Sequence, residues 1–364
     1  MSESVIDIQK KCAPVLKPAA SVYGRVMRVR EAMYARGMLR HWEPPVPTVS
    51  VGNIGWGGTG KTPVADWLLG WAEIHRLKSV LLTRGYGAHP PSVPYLVRPE
   101  SLAESAGDEP LMLARSHARA HILVDPQRIR AGKLAMKRFS PDVMILDDGF
   151  QHMAVARHCN LVLLKPEDVG SGWNQLIPAG SWREPASALA RADAFMLKIS
   201  PSEFETLTPA LRQRLGAFGK PVFSFQIKPT GVRPVRGGEA VPDFDSASYL
   251  LVSGVGDPAQ VKETATRYLG YPPTEHMIFK DHHPYSQKDA LAIADSARKA
   301  GCEAVLCTPK DAVKLGPLCS EAFWEFDLQL AFGPSLFTDG VDFEAWWTRQ
   351  FNDISTRLVN KAHS

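Results

Sequence analysis

Gly55-Trp56-Gly57-Gly58-Thr59-Gly60-Lys61-Thr62 follows a strand-like apolar run, Val46 to Ile54, and fits the phosphate-loop pattern G-x-x-x-x-G-K-[ST]. Glycines at 55, 57, 58 and 60 remove the Cβ atoms that would hold backbone N–H groups away from phosphate oxygens. The loop then opens onto a helix N-terminus, whose dipole favours anions. Lys61 can reach the β- and γ-phosphates of a nucleoside triphosphate, and the Thr62 hydroxyl can ligate Mg²⁺. A glycine-rich turn matched by chance would need neither the strand before it nor all four glycines.

Working outward, short Val-, Ile- and Leu-rich runs recur: Thr48 to Val51, Ser79 to Leu82, His121 to Val124, Val143 to Leu146, Leu161 to Leu164 and Phe195 to Ile199. Their apolarity is continuous rather than alternating, as in strands buried on both faces. With helix-period stretches such as Val64 to Ala72 between them, the pattern predicts an α/β fold, a P-loop NTPase-like doubly wound, mostly parallel sheet. Turn formers crowd the region from Ile227 to Phe244, and a further α/β pattern follows, with strands near Tyr249 to Ser253 and Ala304 to Cys307 and helices near Ala259 to Leu269 and Gln287 to Ala300. The expected division is an N-terminal helical region (1–40), a nucleotide-binding domain (41–226), a linker or β-ribbon (227–245) and a smaller C-terminal α/β domain (246–364).

The first forty residues stand apart. On a helical wheel Val22, Val26, Val29 and Met33 share one face, flanked by Arg25, Arg30 and Arg36, with Lys10, Lys11 and Lys17 upstream. Such a helix either lies on a membrane surface, its arginines reaching lipid phosphates, or packs on the protein's own sheet.

The 364 residues are 45% hydrophobic and 22% charged, ordinary for a globular chain, and a net charge of +4 falls short of the basic stripe of a nucleic-acid binder. Five scattered cysteines without a C-x-x-C pair fit a reducing compartment and no zinc site. No apolar run approaches a membrane span, and the polar start lacks signal-peptide character, so a cytoplasmic location is expected. No obligate protein partner is evident.

Several stretches carry chemistry. Val143 to Asp147 and Asp148 read as a Walker B element, an apolar strand delivering carboxylates to Mg²⁺ beside the phosphate loop; the two alternate in direction if the strand continues. Gly107-Asp108-Glu109-Pro110 reads locally as a helix N-cap, although a phosphoryl-transfer enzyme needs a group like Asp108 to deprotonate the attacking hydroxyl. In Asp281-His282-His283-Pro284-Tyr285 the adjacent histidines diverge on most backbones, which suits acid–base work or a structural loop better than metal ligation. Arg84, at a strand end, could neutralise transferring phosphate charge, and Arg128 and Arg183 offer further guanidinium groups for substrate.

Together, Ser50-Val-Gly-Asn53 with the loop and Pro63, Arg84-Gly-Tyr-Gly87, Gly107-Asp-Glu-Pro110, Asp147-Asp-Gly-Phe-Gln-His152, Ile177-Pro-Ala-Gly180, Arg183-Glu-Pro185 and Asp281-His282 resemble the tetraacyldisaccharide 4'-kinase family of lipid A biosynthesis. The match runs in order from about Val22 to Leu315. The resemblance implies a peripheral enzyme on the cytoplasmic face of the Gram-negative inner membrane. Such an enzyme uses ATP and Mg²⁺ to phosphorylate the 4'-hydroxyl of an acylated disaccharide 1-phosphate. It further implies Asp108 as catalytic base with His282, and Asp147 or Asp148, with Glu184, at the metal or its shell. Two positions depart from the family pattern: Pro309 stands where a glutamate is usual, and Arg157-His158 replaces an arginine–aspartate pair. The rival reading is a membrane-partitioning switch NTPase; its signature lysine before the paired glycines is Trp56 here, which favours the kinase. A small-molecule kinase without membrane contact would leave the N-terminal arginines unexplained.

Overall fold

The computed structural model describes residues 3–245, 247–319 and 322–363. The chain runs α1 (Glu3–Ala35), β1 (Thr48–Asn53), α2 (Lys61–Ile74), β2 (Ser79–Thr83), β3 (Tyr95–Val97), α3 (Ala103–Ala106), α4 (Asp108–Ser116), β4 (His121–Val124), α5 (Arg128–Phe139), β5 (Val143–Asp147), β6 (Cys159–Leu164) and α6 (Pro166–Val169). It continues through β7 (Ala194–Lys198), α7 (Pro201–Leu215), β8 (Val222–Pro234), β9 (Tyr249–Ser253), α8 (Pro258–Leu269), β10 (Glu275–Ile278), α9 (Gln287–Lys299), β11 (Ala304–Cys307), α10 (Pro309–Leu315), β12 (Phe323–Leu336) and α11 (Phe343–His363).

All twelve strands form one sheet, in the order β10-β9-β11-β12-β8-β7-β6-β1-β5-β2-β4-β3. From β4 to β8 every neighbouring pair is parallel, with β3 antiparallel at the edge. The strands are apolar throughout because both faces are covered. Val49, Leu81, Ile122 and Ile145 enter one core with α2 and α4, while Val80, Leu82, Leu123 and Met144 enter another with α5.

The later strands extend this sheet rather than starting a separate one. The long strands β8 and β12 pair antiparallel, and β11, β9 and β10 continue beyond β12 in parallel. Residues 227–234, inside the stretch read as linker or ribbon, are therefore strand. Leu250, Val252, Ile293, Val305 and Leu315 give the far end a core of its own. α11, placed by sequence with that end, instead buries Phe343, Trp347 and Ile354 in the core around α2, where Trp347 meets Trp71 edge-on at 5.6 Å.

α1 lies along the nucleotide half. Ala20 and Gly24 face inward, and a Cβ at Gly24 would stand 2.6 Å from Leu176 Cδ1. The Tyr23 hydroxyl donates to the Arg183 carbonyl at 2.8 Å. Of the helical-wheel stripe, Val22, Val26 and Val29 are exposed and Met33 is half-buried. Arg30 departs from the expected flank, donating to the Gln151 carbonyl at 3.2 Å. The side chains of Lys10 and Lys11 lie outside the described residues. No helix among the described residues is long and apolar enough to cross a membrane.

Candidate active site

Parallel strands carry their C-terminal tips to one edge, and the phosphate loop leaves the tip of β1 there. Gly57 (φ 101°) and Gly60 (φ 88°) take left-handed backbone that side chains disfavour, and a Cβ at Gly60 would come within 2.9 Å of the Phe225 ring. Gly60 caps α2 without a side-chain acceptor, which leaves the first-turn N–H groups for an anion. Trp56 is partly exposed, and Thr59 is buried.

Lys61 Nζ lies 3.3 Å from Asn53 Oδ1 and 3.5 Å from Asp148 Oδ1. β5 ends at Asp147, and Asp148 turns into left-handed backbone (φ 47°), so the two carboxylates do not alternate along a continuing strand. Asp147 accepts the Thr83 hydroxyl at 2.7 Å; burial pushes its carboxyl up, against that hydrogen bond. Asp148 takes a two-point contact from Arg183, both distances 3.0 Å. Burial opposes its charge, but Arg183 and Lys61 outweigh burial and hold the carboxyl at about 2. Arg183 also bonds the Asn53 side chain. Thr62 Oγ1 donates to Glu109 Oε2 at 2.6 Å.

α4 begins beside this loop. Its N-cap is Gly107 (φ 85°), and no side chain caps it. Asp108 is therefore the first helical residue rather than the cap, and its carboxylate faces the far end of the sheet. His282 Nδ1 lies 3.1 Å from Asp108 Oδ2, and Lys314 Nζ lies 3.1 Å from the same oxygen. His282 holds left-handed backbone (φ 60°), its N–H donating to the Gly254 carbonyl at 3.2 Å beyond the tip of β9. His283 turns away to Asp289 at 3.5 Å, so the adjacent histidines do diverge.

Arg84 is exposed and lines a cavity of about 720 Å³ with Tyr86 and Gln127. Arg128 is buried and reaches the Asp147 carbonyl at 3.4 Å, while Arg183 is committed to Asp148. Glu184 does not join Thr62: its buried carboxylate accepts from Arg191 at 2.6 Å and Gln151 at 3.3 Å, the pairing a desolvated charge requires. His152 is pushed down to about 4, first by burial and then by Arg128, Arg157, Arg30 and Arg84. Among the described residues no three His, Cys, Asp or Glu side chains gather as cation ligands. Mg²⁺ is commonly held by one or two protein oxygens plus phosphates and water, and the oxygen donors of Thr62 and Asp147 suit it.

A family model described as tetraacyldisaccharide-1-P 4'-kinase matches residues 12–342. The chain belongs to this 4'-kinase family. Tetraacyldisaccharide 4'-kinase of Nitratidesulfovibrio vulgaris is 50% identical over 95% of this chain and 96% of its own length. That of Oleidesulfovibrio alaskensis is 48% identical over 94% and 97%. A solved structure of LpxK from Aquifex aeolicus in complex with ATP superposes with a TM-score of 0.72 at 28% identity, covering 94% of this chain and 99% of that one. These matches favour the 4'-kinase over the partitioning switch.

Four residues of this 4'-kinase family member that the structure brings to the site have no role assigned by sequence: Asn53, Glu109, Lys310 and Lys314. Asn53 and Glu109 lie inside two of the motifs quoted above, Ser50-Val-Gly-Asn53 and Gly107-Asp-Glu-Pro110, as polar residues at a strand tip and a helix start. The lysines lie in the same family stretch as Pro309, Thr308 to Lys314, and nothing in that stretch shows that they reach across the fold to His282 and Asp108.

Proposed function

We propose that the chain transfers the γ-phosphoryl group of ATP to the 4'-hydroxyl of a tetraacylated glucosamine disaccharide 1-phosphate, with Asp108 as the general base. One observation carries the reading. Asp108 and His282, 174 residues apart, meet at 3.1 Å, and the neighbour of Asp108, Glu109, is bonded to Thr62 of the phosphate loop. A proton acceptor thus stands at the mouth of a phosphate cradle, the arrangement direct in-line transfer to an alcohol needs.

Backbone N–H groups of residues 55–62 bind the phosphates and Lys61 spreads their charge. Thr62 and Asp147 would hold Mg²⁺, which supplies charge neutralisation at the phosphoryl oxygens. Asp148 is the less suited carboxylate, being already neutralised by Arg183 and Lys61. Asp108 takes the hydroxyl proton with His282 orienting it, and Arg84 at the neighbouring cavity meets phosphate charge. Arg128 and Arg183 act on substrate through the site's electrostatics, backing Asp147 and Asp148, and Glu184 does the same for Arg191.

We further assign α1 to the surface of the inner membrane, on its cytoplasmic side. Its valine stripe is exposed while Tyr23 and Arg30, on the adjoining flank, tie the helix to Arg183 and Gln151, so an acyl layer meeting the stripe would deliver a sugar headgroup beside the site. The test is transfer of label from γ-labelled ATP to detergent-dispersed disaccharide 1-phosphate. Asp108→Asn and His282→Ala should each slow turnover by on the order of 10² or more. Near-wild-type rates, or ATP hydrolysis with no labelled lipid, would refute the assignment.

A further inference from the structure

We propose that Lys310 and Lys314, one turn apart on α10, are positioning residues: Lys310 sets the tautomer of His282, and Lys314 fixes which oxygen of Asp108 receives the proton. The inference rests on the assignment of Asp108 and His282 above and deepens it.

An ammonium has three donors and no lone pair. Lys310 Nζ lies 3.0 Å from His282 Nε2 and 3.6 Å from Asp281 Oδ1, an oxygen that itself stands 4.0 Å from Nε2. His282 Nε2 must then accept, so the ring is neutral and carries its proton on Nδ1. That N–H points at Asp108 Oδ2, 3.1 Å away. The imidazole therefore orients the carboxylate and does not compete with it as a base.

The Lys314 side chain is only 9% exposed, and its Nζ bonds the same Oδ2 at 3.1 Å. With both donors on Oδ2, Oδ1 is the oxygen that takes part in neither bond and is left for the acceptor hydroxyl. The groups facing the pair are Lys310 and Lys314 from α10, Asp281 from the histidine loop and Glu109 from α4. One buried carboxylate aligns them. Asp311 Oδ2 accepts from the Gly254 N–H at 3.1 Å and the Thr308 hydroxyl at 2.6 Å, and its Oδ1 accepts from the Tyr285 hydroxyl at 3.1 Å. Gly254 in turn receives the His282 N–H. The strand tip that seats His282 is thus tied to the start of the helix that carries both lysines.

The experiment is a ¹H–¹⁵N long-range correlation spectrum of the full chain labelled at histidine nitrogen, read beside steady-state kinetics. His282 should show a protonated Nδ1 and a bare Nε2. Lys310→Met should move the proton toward Nε2 and lower kcat by about tenfold or more with KM for ATP unchanged, and Lys310→Arg should restore both. Lys314→Met should keep the tautomer and lower kcat, with recovery in Lys314→Arg. A protonated Nε2 in the unaltered chain overturns the proposal. So does a Lys310→Met protein with unchanged tautomer and kcat, or a Lys314→Arg protein no better than Lys314→Met. Because the spectrum is recorded without substrate, an unaltered chain inactive on lipid would overturn the kinase reading and leave the tautomer assignment standing.

Discussion

Asp148→Asn tests the electrostatic frame of the phosphate loop. Arg183 grips the carboxylate at two points and Lys61 adds a third contact at 3.5 Å, which together hold it at about 2 against an ordinary 3.8 in spite of burial. At 1.36 kcal/mol per pH unit this gap corresponds to roughly 2.5 kcal/mol. The side chain is 37% exposed, and solvent screening cuts that to about 1 kcal/mol. The folded-state value lies below the unfolded one, so the contribution is complete above pH 3.8 and disappears as pH falls through about 2; at pH 7 it is fully present. The assay is a double-mutant cycle at pH 7 with Asp148→Asn, Arg183→Gln and the pair, each followed by urea denaturation. The coupling energy should be about 1 kcal/mol, stabilising. A coupling within about 0.3 kcal/mol of zero, with all four proteins folded and similar in m-value, would refute the view that Arg183 acts through Asp148.

Gly60→Ala should cost about 1–3 kcal/mol of stability and weaken ATP binding, since φ 88° is strained for alanine and the new methyl meets Phe225; thermal melts with and without ATP check it, and an unchanged ATP-induced shift counts against it. Glu325 is pushed up to about 7 by burial, against Arg233 and Arg115, so its neutral form suits the fold and stability is lost as pH rises from 4.5 through 7. Glu325→Gln should therefore gain stability over the unaltered chain at pH 8 and gain none at pH 4.5, and equal gains at both would contradict the sign. Replacing Val22, Val26 and Val29 together by serine should leave the melting curve nearly unchanged, because all three are exposed, while reducing sedimentation with anionic vesicles; undiminished sedimentation would remove the interfacial role from this face.

The nucleotide half was legible in the sequence because one physical signal served throughout. A strand covered on both faces needs apolar residues at every position, and the runs ending at Val124, Leu146 and Leu164 coincide with the ends of β4, with β5 to within one residue, and of β6. The seam between the halves was legible only in part. Residues 227–234 carry two prolines and a glycine and read as a linker or β-ribbon, and β12 opposite supplies a fourteen-residue partner strand that holds them in the main sheet, with a register shift between Asp327 and Leu328. α11 was misplaced for a related reason. Its burial depends on Trp67 and Trp71, about 280 residues earlier, and periodicity in α11 says only that one face is apolar, not what covers it.

The site divides along the same line. Phosphate binding needs consecutive backbone groups and is written in eight adjacent residues, so the loop was visible at once. Proton abstraction needs groups that converge from separate strands, and there local sequence misled. Asp108 looked like a cap because acidic residues at helix starts usually are, but Gly107, with φ 85°, turns the chain so that no cap bond forms. A carboxylate not spent on its own helix must find partners elsewhere in the fold, and it finds His282 and Lys314. Lys314 in turn would look like one more surface charge, were it not buried against that carboxylate. What distinguishes a structural acid from a candidate base here is where its hydrogen bonds go, and that follows from the long-range pairing of β8 with β12, which joins the strands bearing the histidine loop to the sheet of the phosphate loop.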